Sequence, residues 1–441
     1  MIGVGLLFIF VAGIAFLGFI IGALFNKIKI TKVLPLMLLG LLVGPILNLV
    51  NTSPGSTIAN LVPVVSALAI SFILFDVGLN INIFRLSKVM ARATAFTFSL
   101  AIATGIVISI AAYFVFGWNI FESLIFGFAL SGPSSAVVPT LLRSLKIKSE
   151  LNDTLLYESV ITDSLQLVVP ILLLQFMLTS NLTVTYALSA FIGSVFGALA
   201  LGAFLAILWL YILKTFGDYS KNYGWMLTVT MVLATYGIAD QLGVSTAIAI
   251  FTFGLVFSNL GMITLKVERP SEVTKTPMLR SVVNIFIMQY LHLGNKIHSI
   301  KDYQKEIEFF TSTFFFVYIG LLFTLNGLTI LMVSIAIIVV LLMVLLRYIF
   351  MPLLHTYMSK DASDNRTMSK LISFNVARGL SPSIVATLPL AAGIIIPGFL
   401  NEMFLVVLFS NIATTLGIFA FYKPAKAVQT TARKAAASVS A

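Results

Sequence analysis

The chain of 441 residues has no cysteine, only three histidines, and charged residues at just 10% of its length. The absence of cysteine excludes disulfides, thiolate metal sites and cysteine nucleophiles. The three histidines all fall in polar stretches, so a histidine-rich metal site is not expected; they are His292, His298 and His355. A soluble protein carries about 25% charged residues, so this shortage of charge argues against that class.

Apolar residues make up 59% of the chain, and its mean hydropathy is +1.06. Water could not accommodate so much apolar surface, so the lipid bilayer is the expected solvent. The net charge of +11 would suggest nucleic-acid binding in a soluble protein, but here the basic residues lie between apolar spans, so no nucleic-acid partner is expected. The first apolar run, 2–25, lacks a basic start and a small-residue cleavage site, and we expect a first span rather than a signal peptide.

Thirteen stretches come close to the length of about 20 apolar residues that a membrane-spanning helix needs. They lie at 2–25, 33–50, 61–82, 93–117, 121–142, 152–178, 184–213, 225–240, 244–263, 307–325, 328–353, 370–392 and 399–421. The predicted fold class is therefore an all-α polytopic membrane protein with thirteen transmembrane helices.

Basic residues, lysine and arginine, occur in every second connection between these spans. The odd-numbered connections carry them, whereas even-numbered ones such as 51–60 and 179–184 carry none. Cytoplasmic loops are enriched in basic residues, so the pattern predicts an outside N-terminus and a cytoplasmic C-terminus in the inner membrane of a cell. Arg347, at the membrane edge, is assigned to the eleventh connection, so Arg378 alone falls outside the scheme, within a span.

The connections are too short for a second domain, except at 264–306. That cytoplasmic loop contains the apolar segment 281–293, which is either an interfacial amphipathic helix or part of an ordered loop. The predicted organisation is scaffold and dimerisation spans 1–3 (1–90), core spans 4–6 (91–178), a linking span 7 (179–216), scaffold spans 8–10 (217–325), core spans 11–13 (326–422) and a short basic tail (423–441).

Ionisable residues inside a membrane span are costly and mark functional sites by default. The candidates singled out within spans are Asp76, Glu158, Asp163 and Arg378. Asp240 and Glu402 lie at the ends of spans, where an interfacial role is expected.

Span 6 places polar groups on one helical face. Ser159 and Asp163 are four residues apart, so they share a face, and Glu158 and Thr162 form the next such pair. A hydroxyl and a carboxylate are hard oxygen ligands suited to a small monovalent cation. The alternative is a carboxylate held in a structural ion pair, and the natural partner of Glu158 would be Arg378.

Spans 5 and 12 both contain helix-breaking clusters. Span 5 reads FALSGPSSAVVPT (128–140) with Gly132 and Pro133, and span 12 reads ARGLSPSIVATLP (377–389) with Gly379 and Pro382. Such breaks within a membrane are tolerated where they line a cavity, although glycine and proline also merely kink ordinary spans. Because span 12 comes seven spans after span 5, and an odd offset inverts the orientation of a helix, we predict two inverted six-helix repeats with broken helices that cross near Asp163.

At these residues the chain resembles the monovalent cation/proton antiporters, especially the NhaP-type sodium/proton exchangers. FILFDVGLNINIFRL is similar to the acidic third-span pattern of that family, and LYESVITDS to its E-S-x-x-N-D signature. ADQLGVSTAIAIFTFGLVFSN is similar to its ninth-span segment, and ARGLSPSIVATLP to its Arg-Gly motif in the second broken helix. The four stretches occur in the order found in the family.

The resemblance implies that Asp163 binds the cation and the proton in competition. The rest of the cation- and proton-binding site would come from Ser159, Thr162 and groups near Ser131. Glu158 and Arg378 would form an ion pair that orients the site, and Asp76 would lie near the cytoplasmic ion path.

Two positions depart from the family pattern. The asparagine that precedes the key aspartate is Thr162 here, and the Thr-Asp-Pro of the first broken helix is Ser131-Gly132-Pro133. A carboxylate is therefore missing from the first break, which affects ion selectivity more than the class of protein.

The function expected from these observations is exchange of a monovalent cation (sodium, or lithium or potassium) for a proton. We expect electroneutral one-to-one exchange by an elevator-type movement in a homodimer, with no cofactor and no enzymatic activity. The alternatives are a sodium-coupled organic anion transporter of the same fold, a non-transporting sensor or channel, and an intramembrane aspartyl protease that uses Asp163 and Asp240.

Overall fold

The structure, a computed structural model, describes residues 4–28, 33–50, 56, 60–81, 83–134, 149–179, 184–215, 219–267, 293–325, 328–353 and 372–421. Thirteen helices occur in these residues, and no strand does. They are α1 (Val4–Ile28), α2 (Val33–Leu41, continued by a π-helical turn over Leu42–Ile46), α3 (Val62–Asn80), α4 (Ile83–Phe116), α5 (Ile120–Ala129), α6 (Ser149–Thr179), α7 (Val184–Thr215), α8 (Tyr219–Gln241), α9 (Thr246–Val267), α10 (Leu293–Leu322), α11 (Ile330–Ile349), α12 (Leu380–Ala391) and α13 (Phe399–Phe421). Each predicted span contains one helix, which confirms the predicted all-α fold.

Several of the helices are suited to a bilayer by length and composition. Six described segments are long and apolar enough to cross a membrane: Val62–Asn80, Thr94–Phe116, Ile161–Leu178, Ile192–Leu213, Ile330–Leu353 and Phe399–Gly417. Large apolar side chains such as Phe114, Phe196 and Leu341 are exposed on their outer faces. Lipid is the solvent in which such exposed side chains carry no cost, so the chain is a multi-pass membrane protein.

The helices pack as two groups. In one group, α2, α3 and α9 pack against α10, α3 also packs against α9, and α7 and α8 pack against α9. In the other, α4, α5 and α6 pack on one another, and α11 and α12 pack on α13. Helix α12 packs against both α3 and α6, so it lies where the two groups meet.

The first group is held by helices whose backbones touch. A Cβ atom added to Gly40 on α2 would overlap the carbonyl oxygen of Val317 on α10, and one added to Gly320 would overlap the α2 backbone. Gly78 on α3 and Gly254 on α9 make the same kind of approach to each other's helices. Small residues that allow such close approach are typical of tightly packed membrane helices, and they bring the backbones of this group into direct contact.

The two groups are sealed together near the end at which α3 begins. The hydroxyls of Ser66 on α3 and Thr387 on α12 lie 2.8 Å apart. Beside them, a cluster from both groups buries Val62, Tyr318 and Leu322, against which the partly buried Val65, Ala391 and Leu400 pack. Nearby, the Asn401 side chain of α13 bonds to the backbone and the hydroxyl of Thr324, just beyond α10. This end of the interface is therefore closed.

Some predictions fall outside the described residues. These are most of the 264–306 loop, since α9 ends at Val267 and α10 begins at Leu293, and the basic tail 423–441. The inverted repeats and the division into scaffold and core remain predictions.

Candidate ion-binding site

Two interrupted helices meet beside α6. Helix α5 ends at Ala129, and the chain is non-helical from Leu130 to Ser134, the last described residue before 149. Helix α12 begins only at Leu380, after the non-helical segment 375–379. The backbone N–H of Ser134 donates to the carbonyl of Ala377 at 3.0 Å, so the two interruptions are joined where they meet.

Three of the four helix-breaking residues predicted from the sequence lie in the interruptions, namely Gly132, Pro133 and Gly379, whereas Pro382 lies in the first turn of α12. Pro133 lacks an N–H to continue α5. Gly379 is the N-cap of α12, and a Cβ atom there would overlap the hydroxyl of Ser134 in the other break. Glycine therefore allows the two backbone segments to touch.

Asp163 lies on α6 beside this meeting point, with 5% of its surface exposed. The hydroxyl of Ser381 donates to its Oδ1 at 3.2 Å. Ser381 is in the first turn of α12, and the N-terminal end of a helix carries a partial positive charge that favours a nearby carboxylate. The predicted ion-binding aspartate thus has a hydroxyl and a helix N-terminus as partners, and the sequence reasoning had not singled out Ser381.

The structure corrects the predicted ion pair between Glu158 and Arg378. Glu158 is paired with Arg347 of α11 instead, through Nη1–Oε1 at 2.5 Å and Nη2–Oε2 at 2.7 Å. Both side chains are buried, and Arg347 Nε also donates to the carbonyl of Ile372 at 2.8 Å. Since one guanidinium binds both carboxylate oxygens, the negative charge of Glu158 is compensated without Arg378.

Arg378 has a different role, as a cap on the end of α5. Its Nη2 donates to the carbonyl of Leu130 at 2.7 Å, and its Nη1 donates to the carbonyl of Gly132. The last carbonyls of a helix lack partners within it and carry a partial negative charge. A buried cation therefore stabilises the interrupted end of α5. The Arg378 backbone is itself held by Ser410 and Asn411 of α13.

The two departures from the family pattern touch each other. A Cβ atom added to Gly132 would overlap the side chain of Thr162. The Thr162 hydroxyl donates to the carbonyl of Glu158 at 2.9 Å and lies 3.3 Å from the carbonyl of Pro133. Thr162 thus fills the space that a side chain at position 132 would need.

We predict that Gly132→Ala destabilises the protein and that Thr162→Gly restores part of the loss. The added methyl group overlaps a buried side chain, and overpacking of this kind costs about 1–3 kcal/mol. Thermal unfolding in detergent measures the effect. Gly237→Ala on α8, where a Cβ atom meets nothing within 4 Å, is the matched control. An equal response of the two alanine variants would contradict the prediction.

The other predicted residues lie as follows. Ser159 is fully buried on α6, and Ser131 is buried in the break of α5. Asp76 is half-buried on α3, in the other packing group, where Asn80 Nδ2 donates to its Oδ2 at 2.9 Å. Asp240 is exposed at the end of α8.

Glu402 lies in the first turn of α13, at the end of its span as expected. It is fully buried, and neither carboxylate oxygen has a hydrogen-bond partner among the described residues.

Sequence reasoning missed two further polar residues. Arg347 is the one charged residue of the apolar helix α11. Near the end of a span, an arginine is usually interpreted as a side chain that places its charge at the membrane interface. Gln166, on α6, donates from Nε2 to the carbonyl of Gly132 at 2.6 Å. Its only signal in the sequence is an uncharged amide within an apolar run.

Two interrupted helices that meet beside a buried carboxylate are the architecture of a secondary membrane transporter. The sequence profile of the transmembrane region of sodium/hydrogen exchangers matches residues 12–423, and the chain belongs to that family.

The fold is shared with solved structures. Two structures of the sodium proton antiporter MjNhaP1 from Methanocaldococcus jannaschii share the fold. One, at pH 8, has a TM-score of 0.66 at 16% identity and covers 93% of this chain and 95% of its own. The other, from an electron-microscopy map, has a TM-score of 0.65 at 18% identity and covers 96% and 99%.

YbaL of Escherichia coli (strain K12), provisionally named a cation/proton antiporter, is 34% identical over 133 residues. That match covers 30% of this chain and spans only 22% of the length of YbaL.

Proposed function

We propose that this protein is an antiporter that exchanges a monovalent cation, sodium or else lithium or potassium, for a proton at Asp163. The observation that carries the proposal is the buried Asp163 carboxylate, bonded to Ser381 at the N-terminus of α12 where the two interrupted helices meet. The relatives named as sodium proton and cation/proton antiporters support the same class of activity.

Exchange follows from a single carboxylate that binds either ion. A bare carboxylate is costly in a low-dielectric site, so Asp163 crosses the membrane only with a cation or a proton bound. The cation enters as the proton leaves, and the reverse occurs on the other side. Competition for one group makes the exchange obligatory.

The charges around Asp163 favour an electroneutral, one-to-one cycle. The charge of Glu158 is compensated by Arg347 within the same packing group, and Arg378 is engaged by two carbonyls of the α5 break. Asp163 is then the group whose ion changes between the two halves of the cycle, and each half moves one positive charge. The engagement of Arg378 also disfavours the organic anion alternative, because both terminal nitrogens of its guanidinium already donate to these carbonyls.

Alternating access would arise from movement of α4–α6 and α11–α13 as a core against a scaffold formed by the other helices. The contact between α12 and α3 is the surface along which the core would slide. The sealed end, with Ser66 and Thr387, would be the outer side, given the basic cytoplasmic connections. The scaffold would pair two copies in the inner membrane of a cell.

The test uses purified protein in liposomes with an imposed pH gradient and an internal pH dye. Addition of sodium, lithium or potassium is expected to dissipate the gradient with at least one of the three ions. Clamping the membrane voltage with valinomycin and potassium should leave the sodium- or lithium-driven rate unchanged. If no cation moved protons, the proposal would fail, and a voltage generated by exchange would refute the one-to-one stoichiometry.

A further inference from the structure

Gln166 has one half of its amide group without a partner. It is fully buried on α6, three residues after Asp163, so the two side chains lie on adjacent parts of the helix surface. Its Nε2 donates to the carbonyl of Gly132 at 2.6 Å, which fixes the orientation of the amide. Its Oε1 is buried and accepts no hydrogen bond from the described residues. Buried polar atoms are nearly always paired, so an unpaired one calls for an explanation.

A second unpaired oxygen lies on the same segment. The Ser131 hydroxyl is buried with 2% of the residue exposed, and it has no hydrogen-bond partner among the described residues. Ser131 directly precedes Gly132, the residue to which Gln166 is bonded. The unpaired Ser131 hydroxyl therefore lies in the break of α5, and the unpaired Gln166 Oε1 lies on the part of α6 that is bonded to this break.

Gly132, which adjoins Ser131 and is bonded to Gln166, supplies no side-chain ligand for a cation. Position 132 has no side chain, and Thr162 occupies the space that one would need. The carbonyl of Gly132 already accepts hydrogen bonds from Gln166 and Arg378. On the described part of α5 and α6 beside this break, the buried side-chain oxygens without a hydrogen-bond partner are thus the neutral ones of Gln166 and Ser131.

We propose that Gln166 is a specificity-determining residue of the cation site, whose Oε1, with the Ser131 hydroxyl, coordinates the cation that binds Asp163. The proposal rests on the proposed antiport at Asp163. Amide carbonyl and hydroxyl oxygens are hard ligands that suit a monovalent cation. A proton bonds covalently to Asp163 and needs neither of them, so these oxygens act on the cation half of the cycle. Nε2 meanwhile anchors the break of α5 to α6.

The experiment measures half-saturating concentrations of sodium, lithium and potassium for exchange in liposomes, for wild type, Gln166→Met and Ser131→Ala. Methionine keeps the length of glutamine but supplies no hard oxygen ligand. We expect the half-saturating concentration to rise about 10-fold with Gln166→Met, by unequal factors for the three cations, so that the selectivity order changes. Ser131→Ala, a smaller change, should act in the same direction and decides the question if Gln166→Met does not fold. Gln241→Met, at the exposed end of α8, is the matched control and should match wild type.

Unchanged half-saturating concentrations in both variants would overturn the proposal. So would an equal weakening for all three cations that parallels a fall in maximal rate and unfolding temperature, because that pattern indicates packing alone. If wild type itself shows no cation-driven proton movement, the proposed function fails instead, and the two failures are thereby distinguished.

Discussion

Replacement of Asp163 by asparagine is expected to reduce cation-driven proton exchange to the background of protein-free liposomes. Asparagine has the same shape and can still accept the hydrogen bond from Ser381. It neither releases a proton nor carries a charge that a cation could neutralise, so both halves of the cycle are lost. The measurement is the rate of pH-gradient dissipation at saturating sodium, lithium and potassium, with equal amounts of folded protein.

Asp240→Asn is the matched control for this prediction. Asp240 is exposed at the end of α8, so the same chemical change there should leave the exchange rate as in wild type. If Asp163→Asn kept exchanging, the ion would have to bind another carboxylate. Glu402, fully buried on α13, would then be the residue to replace next.

The second large effect is expected on stability, from Arg347→Met. This change leaves the carboxylate of Glu158 buried without its guanidinium partner. Removal of one member of a buried pair costs about 3–5 kcal/mol, whereas replacement of both members by uncharged residues is often close to neutral. The single variant should therefore unfold at a much lower temperature in detergent, and Glu158→Gln combined with Arg347→Met should recover most of the loss.

The same series separates the two possible partners of Glu158. If the Arg347 pair holds in the membrane, Glu158→Gln should rescue Arg347→Met and should not rescue Arg378→Met, which strands the carbonyls of α5 instead. Rescue of Arg378→Met by Glu158→Gln, with none for Arg347→Met, would restore the pairing predicted from the sequence.

The fold could be predicted from the sequence because membrane spans are defined locally. A bilayer requires each crossing segment to be long, apolar and internally hydrogen-bonded. The basic residues between the segments indicate which ends of the spans face the cytoplasm. The limits of individual helices were harder to predict. Span 12 was predicted at 370–392, but its described helix begins at Leu380, because the residues before it form the break.

The site could be predicted only in part, since spacing determines which residues share a face of one helix and not which other helix lies opposite. Ser159 and Asp163 were found by their spacing on α6. The partner of Glu158 lies 189 residues away on α11, and two arginines were available. In the folded protein Arg347 lies opposite Glu158 and pairs with it, whereas Arg378 donates to the carbonyls of the α5 break. Uncharged groups such as Ser381 and Gln166 gave too weak a signal to be singled out.

The contact between Gly132 and Thr162 also restricts how this protein could evolve toward the usual family pattern. An aspartate at position 132 would need the volume that Thr162 already fills. Position 162 must therefore change first, and a carboxylate can follow only in that background. Libraries that vary one position at a time would score the substitution at 132 as harmful. They would not detect that it is tolerated after a change at 162. Paired libraries at 132 and 162 would reveal this order as epistasis, with the acidic variant recovered only beside a different residue at 162, such as the asparagine of the family pattern.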